Sequence, residues 1–165
     1  MTPREAFDRY HQAVYRFVYR LTAREDLAED ITQECFLAFV RAPQRYDRTR
    51  GTVKTYLFSI ARHLALKRYR DDREHAQLDE EDIASVEPDG AWEVSSAVVG
   101  AVAALPQLQQ ECLILFEYEG FTLEEIAGVV GADVGTVKSR LHRARERLRR
   151  TLAAYREVRN ENGTV

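Results

Sequence analysis

The chain is predicted to be all-α, built as two small helical domains joined by an acidic flexible linker, and three observations carry that prediction. Apolar residues recur at helical spacing through most of the 165 residues. Helix-initiating motifs recur along the chain, at Thr2-Pro3-Arg4-Glu5, at Thr22-Ala23-Arg24-Glu25 and at Thr122 with Glu125. The one long interval without apolar periodicity, residues 71–93, holds ten acids against Arg73 alone, together with Pro88 and Gly90. The expected organisation is a first domain over 1–72, a linker over 73–92, a second domain over 93–155 and a tail over 156–165.

At the N-terminus, Thr2 is placed to cap a helix while Glu5 reaches back, with Pro3 at the first helical position. Phe7, Tyr10, Val14, Phe17, Val18 and Leu21 trace the expected buried stripe. The motif at Thr22 to Glu25 predicts a second capping box and a second helix, which runs to about Arg41 and ends at Pro43. Along it Leu27, Ile31, Cys35, Phe36, Phe39 and Val40 supply apolar contacts, whereas Glu29, Asp30, Gln33 and Glu34 make an acidic, amide-bearing face. Such a face serves solubility or docks a basic partner.

After Pro43 the charge reverses. Arg45, Arg48, Arg50, Lys54, Arg62, Lys67, Arg68 and Arg70 are accompanied by one acid, Asp47. A third helix follows, with Val53, Leu57, Ile60, Ala61 and Leu64 inward and Thr55, Ser59, Arg62 and Arg70 outward. Aromatic rings interleaved with cations can stack unpaired bases while holding their phosphates. Tyr46 and Tyr56, beside the polar loop, are the candidates for that role, whereas Phe58 and Tyr69 read as core.

In the second half, Leu123, Ile126, Ala127 and Val130 share one face of a short helix, Gly131 supplies a position able to take positive φ, and Asp133 can cap the helix after it. In that last helix Val137, Leu141, Ala144 and Leu148 form one buried stripe; Ser139, His142 and Arg143 point away, flanked by Lys138 and Arg140. Two short helices around a glycine turn, the second densely basic, constitute a helix-turn-helix. Lys138, Arg140 and Arg143 suit guanine edges in a major groove and Ser139 either base; most of the arginines beyond, such as Arg147, suit phosphates.

Composition excludes several other classes. No segment approaches a membrane span, and Met-Thr-Pro-Arg-Glu lacks the apolar core of a signal peptide, so a cytoplasmic protein without membrane insertion is expected. Cys35 and Cys112 lie in apolar helical patterns without paired spacing and read as small core residues. The four histidines share no ligand spacing, so no metal and no cofactor are expected. A small hydrolase built on His63 or His11 has no nucleophile elbow or glycine-rich phosphate loop behind it, and the chain is not expected to be an enzyme.

The stretch from Leu27 to Phe36, followed by Tyr56-Leu57-Phe58-Ser59-Ile60-Ala61-Arg62-His63-Leu64-Ala65, resembles region 2 of the bacterial extracytoplasmic-function (ECF) sigma factors of the sigma-70 family. Leu105-Pro106, with Val134-Gly135-Thr136-Val137-Lys138-Ser139-Arg140-Leu141-His142-Arg143-Ala144-Arg145, resembles their region 4. The resemblance implies a three-helix core for region 2 and a helix-turn-helix four-helix unit for region 4. It also implies a function: binding core RNA polymerase and directing promoter-specific transcription initiation. The alternative is a stand-alone helix-turn-helix transcriptional regulator.

By position in the motifs, Glu29, Asp30, Gln33, Glu34 and Phe36 are implied to grip the clamp helices of the polymerase's largest subunit, with the polymerase flap as a further contact of the protein. Tyr46, Arg48, Arg50, Lys54, Tyr56, Arg62, His63, Lys67 and Arg70 are implied to capture the melted −10 element. Thr136, Lys138, Ser139, Arg140, His142, Arg143 and Arg147 are implied to read the −35 element as duplex. The acidic linker is implied to thread the RNA exit path, and an anti-sigma factor is the further candidate partner. Many family members carry Asn where this chain has His63, and the usual tryptophan near Tyr56 is replaced, so promoter preference does not transfer directly.

Overall fold

The computed structural model describes residues 1–76 and 93–162, and every regular element among them is helical. Helices α1 (Pro3–Thr22), α2 (Glu25–Arg41) and α3 (Val53–Ala76) form the first unit, with a short 3₁₀ turn at Pro43–Arg45. The second comprises α4 (Glu93–Ala103), α5 (Gln107–Leu113) running on as a π-helical turn at Ile114–Tyr118, α6 (Leu123–Val130) and α7 (Val134–Asn162).

Helix α1 begins as its sequence requires. The Glu5 amide donates to Thr2 Oγ1 at 3.2 Å, and the Thr2 amide donates to Glu5 Oε2 at 2.7 Å. Those bonds to Thr2 hold the Glu5 carboxyl below its ordinary range. The second expected capping box does not form. Thr22 is the last residue of α1 and its hydroxyl donates to the Val18 carbonyl at 2.9 Å. The chain then turns through Ala23, at φ 55°, and α2 starts at Glu25, directly after Arg24, whose guanidinium bonds the Asp26 carboxylate at 2.7 Å instead of capping a backbone amide. A threonine three residues ahead of a glutamate therefore closes one helix here rather than opening the next.

Val14, Phe17, Val18, Ile31, Cys35, Phe39, Leu57, Phe58 and Ala61 form the core of the first unit. Cys35 Sγ donates to the Leu57 carbonyl at 3.2 Å, and burial pushes its thiol up to about 12. Phe7 and Val40, expected inside, are exposed at the rim. On α3 the burial is broader than the predicted stripe. Phe58 and Ala65 are fully covered while Val53, Ile60 and Leu64 are half-buried, because α3 packs on α1 and α2 with one side and on α6 with another. The helix also continues through Ala76, into the stretch expected as linker; the rest of that stretch, 77–92, lies outside the described residues, as does the side chain of Tyr69.

In the second unit Cys112, Leu113, Ile114, Leu115, Ile126, Val137, Leu141 and Ala144 make the core. Burial pushes the Cys112 thiol up to about 11. Thr122 and Glu125 form the expected capping box at 3.1 and 3.0 Å, Gly131 takes φ 67°, and the Thr136 amide donates to Asp133 Oδ1 at 2.7 Å. The turn between α6 and α7 is thus built from the residues its sequence names. Helix α7 extends to Asn162, past the expected domain end at 155.

The two units pack on each other. Phe58 of α3 and Phe121, just before α6, meet with ring centroids 4.7 Å apart, and both are fully buried.

Candidate polymerase and promoter interfaces

The acidic, amide-bearing face predicted on α2 is exposed at all four of its residues. Glu29, Asp30, Gln33 and Glu34 are exposed and line α2 at helical spacing. Phe36, predicted among the apolar contacts of α2 and added by the resemblance to the docking residues, is 5% exposed and packs edge-to-face with the Phe7 ring at 5.1 Å. Phe7 is the aromatic that reaches solvent beside α2, stacked on His11 at 4.5 Å. The face is also less acidic than its sequence suggests. Arg68 of α3, grouped by sequence with the nucleic-acid cations, donates to Asp30 at 2.9 Å and to Glu34 at 3.4 Å. A groove of about 1110 Å³ runs between α1 and α2, lined by Phe7, Tyr15, Arg16, Asp30, Gln33 and Arg68 among others.

The loop between α2 and α3 is fixed by local chemistry. The Tyr46 hydroxyl donates to the Gly51 carbonyl at 2.9 Å, and a Cβ at Gly51 would lie 2.7 Å from Thr55 Oγ1, so the loop closes tightly there. Asp47 accepts from the Thr49 hydroxyl at 2.6 Å and from its amide at 2.9 Å, which holds the carboxyl below its ordinary range. Tyr46 and Tyr56 are 5.4 Å apart and gather around Phe39 at 6.5 and 6.0 Å. Both are half-buried, with edges lining a cleft of about 230 Å³ together with Arg45, Arg50, Thr55 and Ser59. That cleft has a wall from the second unit, Gly128 of α6.

The remaining first-unit candidates divide. Arg48, Arg50, His63, Lys67 and Arg70 are exposed. Lys54 and Arg62 are not free. Arg62 donates through Nε and Nη2 to both Glu111 carboxylate oxygens at 2.8 Å, and Glu111 on α5 is fully buried. Its outward position on the predicted stripe is outward only with respect to the first unit. Lys54 Nζ lies 3.9 Å from Glu125 Oε2 and 4.1 Å from the Phe121 ring centroid.

On α7, Lys138, Ser139, His142, Arg143 and Arg147 are exposed along one side, with Thr136 half-buried at its start. Arg140, predicted on the flank of that side, is half-buried. The basic run is also partly neutralised, since Arg145 pairs with Glu117 at 3.1 Å and Arg149 with Glu146 at 2.8 Å.

Sequence reasoning missed the residues that join the units: Glu111, Glu119, Phe121, Arg16 and Arg20. Glu119 sits between Arg16 and Arg20 of α1, at 3.6 and 3.5 Å, with its side chain 4% exposed, and the Arg20 guanidinium lies 4.3 Å from the Tyr118 ring centroid. One signal was available. Glu111 stands in the otherwise uncharged run Gln107 to Phe116, and an acid followed directly by Cys112-Leu113-Ile114-Leu115 must meet a cation once buried. Among the described residues no cluster of His, Cys, Asp and Glu is arranged to hold a metal, and no helix is long and apolar enough to cross a membrane.

Comparison with known proteins agrees with this layout. Residues 6–75 match the Sigma-70 region 2 family and residues 95–148 match the Sigma-70, region 4 family, in that order. The ECF RNA polymerase sigma factor SigW of Bacillus subtilis is 30% identical over 162 residues, covering 88% of this chain and 86% of that one. SigE of Mycolicibacterium smegmatis, also an ECF RNA polymerase sigma factor, is 35% identical over 151 residues; the match covers 86% of this chain and 58% of SigE. The sigma factor RpoE of Bartonella quintana, solved in complex with the anti-sigma factor NepR, shares the fold at a TM-score of 0.76 and 25% identity, over 91% of this chain and 96% of that chain. Matches to both regions, with relatives of this kind along nearly the whole chain, do not favour the stand-alone regulator and place the chain in the ECF sigma factors of the sigma-70 family.

Proposed function

We propose that this chain binds bacterial core RNA polymerase in the cytoplasm and directs it to promoters, with no catalytic activity of its own. The observation that carries this reading is the presence of an acidic α2 face, an aromatic and basic α2–α3 loop and a capped, basic helix-turn-helix in one chain, in the order of the family's two regions. Residues 1–72 act as region 2 and 93–155 as region 4, with 73–92 as the linker and 156–165 as a tail.

The α2 face, Glu29, Asp30, Gln33 and Glu34 with Phe36 beneath, docks on the clamp helices of the largest subunit, and Arg68 is the cation that must yield when basic partner residues arrive. Tyr46, Arg48, Arg50, Lys54, Tyr56, Arg62, His63, Lys67 and Arg70 hold the melted −10 strand, arginine and lysine on phosphates and the tyrosines on an unstacked base. Thr136, Lys138, Ser139, His142 and Arg143 meet the −35 duplex, with Arg140 and Arg147 on its backbone. Region 4 also meets the polymerase flap. An anti-sigma factor is a proposed partner, supported by the Bartonella quintana RpoE solved with NepR.

The test is reconstituted transcription, with purified chain and bacterial core polymerase on a genomic fragment library and transcript starts mapped by sequencing. Discrete starts sharing upstream elements, lost in the double variant Asp30→Ala/Gln33→Ala, are the expected result. Starts identical to those of core alone would overturn the reading.

A further inference from the structure

One group in the loop between α2 and α3 has the wrong sign for a phosphate surface. Asp47 stands among Arg45, Arg48 and Arg50, and a carboxylate there repels the strand that those cations attract. Its bonds lie inside the loop. Oδ1 accepts the Thr49 hydroxyl at 2.6 Å and the Thr49 amide at 2.9 Å, whereas the contact with Arg50 is loose, at 4.0 Å with the Arg50 side chain 89% exposed. The Asp47 carbonyl takes the Arg50 amide at 3.1 Å, which closes residues 47–50 into a turn that carries Arg48 and Arg50, both exposed.

Tyr46 ties that turn to the body of the protein. Its ring packs against the buried Phe39 and against Tyr56, and its hydroxyl reaches across to the Gly51 carbonyl at 2.9 Å. Stacking a base needs only the ring, so the hydroxyl bond serves something else. Directly after Gly51, Thr52 caps α3 by accepting the Thr55 amide at 3.2 Å. Both ends of the segment 46–51 are therefore held, and the arginines between them stand on a fixed backbone.

We infer that Tyr46 and Asp47 are positioning residues for capture of the −10 strand: the Tyr46 hydroxyl and the Asp47 carboxylate hold the loop in the conformation that presents Arg48 and Arg50 to its phosphates. The inference rests on the reading of this loop as part of the −10 surface. A loop ordered beforehand gives up less conformational entropy when the strand arrives, so it binds more tightly through the same contacts. That gain opposes the repulsion from the Asp47 charge, and the sign of an Asp47 substitution tells which of the two dominates.

The test uses holoenzyme, reconstituted from each variant and core polymerase and titrated at one salt concentration with a fluorescent single-stranded oligonucleotide carrying the −10 sequence from the mapped promoters. Affinity for core, which docks on α2, checks that each variant is folded. Tyr46→Phe keeps the ring and removes the latch; it should weaken strand binding about fivefold, the shift that one net hydrogen bond supports. Asp47→Ala should weaken it as well, although it removes a negative charge. Asp47→Asn keeps an acceptor for Thr49 without the charge and should bind at least as tightly as wild type. A double-variant cycle reads the action through the loop: Arg48→Ala should cost less in the Tyr46→Phe background than alone, because an unlatched loop no longer holds Arg48 on its phosphate.

Tyr46→Phe binding the strand as wild type does overturns the inference, and so does Asp47→Ala binding it more tightly. Additive effects of Arg48→Ala and Tyr46→Phe overturn it too. If the wild-type holoenzyme starts no transcription beyond that of core alone, it is the initiation-factor reading that has failed, and the inference falls with it.

Discussion

Asp133 shows how one side chain sets the geometry of the helix that carries the exposed basic face. Its carboxylate accepts the Thr136 amide at 2.7 Å, and that bond is the main reason its carboxyl is held below the ordinary carboxylate range. A depressed folded value means that the cap's stabilisation is fully present above the unfolded carboxyl pKa of about 3.9 and is lost as pH falls through the lower folded value. Asp133→Ala is expected to destabilise the protein at neutral pH through loss of this cap. In urea melts the gap between variant and wild type should narrow as pH falls through the lowered folded value of Asp133, where the wild-type carboxylate becomes protonated as well. Arg68 offers the contrasting case. Its pairs with Asp30 and Glu34 are roughly half-exposed, so Arg68→Ala should cost less than about 1 kcal/mol in the same melts. Freed of that cation, the α2 face should bind core polymerase at least as tightly as wild type, measured by titration against labelled core.

Between α6 and α7 the deciding position is Gly131, at φ 67° with open space around its absent side chain. Gly131→Ala therefore meets only the backbone penalty of the left-handed region, about 1 kcal/mol, and chemical denaturation should show that loss with helicity retained. The same turn explains why the helix-turn-helix was legible in the sequence. Thr122, Glu125, Gly131 and Asp133 act on backbone groups within three residues of themselves, and local bonds of that reach follow from spacing alone. Thr22 shows where such reading fails: its hydroxyl could accept from the Glu25 amide ahead or donate to the Val18 carbonyl behind, and the chain's turn at Ala23 decided for the second. Arg62 was misplaced for a different reason. It sits at the edge of a helical stripe, where the side it faces depends on which other element arrives, and the approach of Glu111 on α5 was not encoded in any local pattern. The stretch 73–92 was read from composition as a linker, yet α3 continues through Ala76, because composition carries no helix register.

Across the whole molecule, the contact between the two units is both apolar and ionic, and the two parts should respond differently to perturbation. The ionic contacts of Arg16, Arg20 and Lys54 include partly exposed groups and weaken with salt, whereas the Phe58–Phe121 contact is dry and does not. Phe121 touches the core of one unit and begins the helix-turn-helix of the other, so it couples their unfolding. Phe121→Ala is expected to cost about 3–5 kcal/mol, the range for removing a buried phenyl ring. Its thermal unfolding should change in shape as well as in midpoint. Wild type is expected to show one calorimetric transition whose van't Hoff and calorimetric enthalpies agree, because neither unit can unfold without exposing the shared rings. Without the Phe121 ring the units lose their apolar link and should melt separately, giving two resolved transitions. A single cooperative transition in Phe121→Ala, merely shifted down, would show that the paired charges alone hold the halves together. In that case raising the salt should split the transition where the substitution did not.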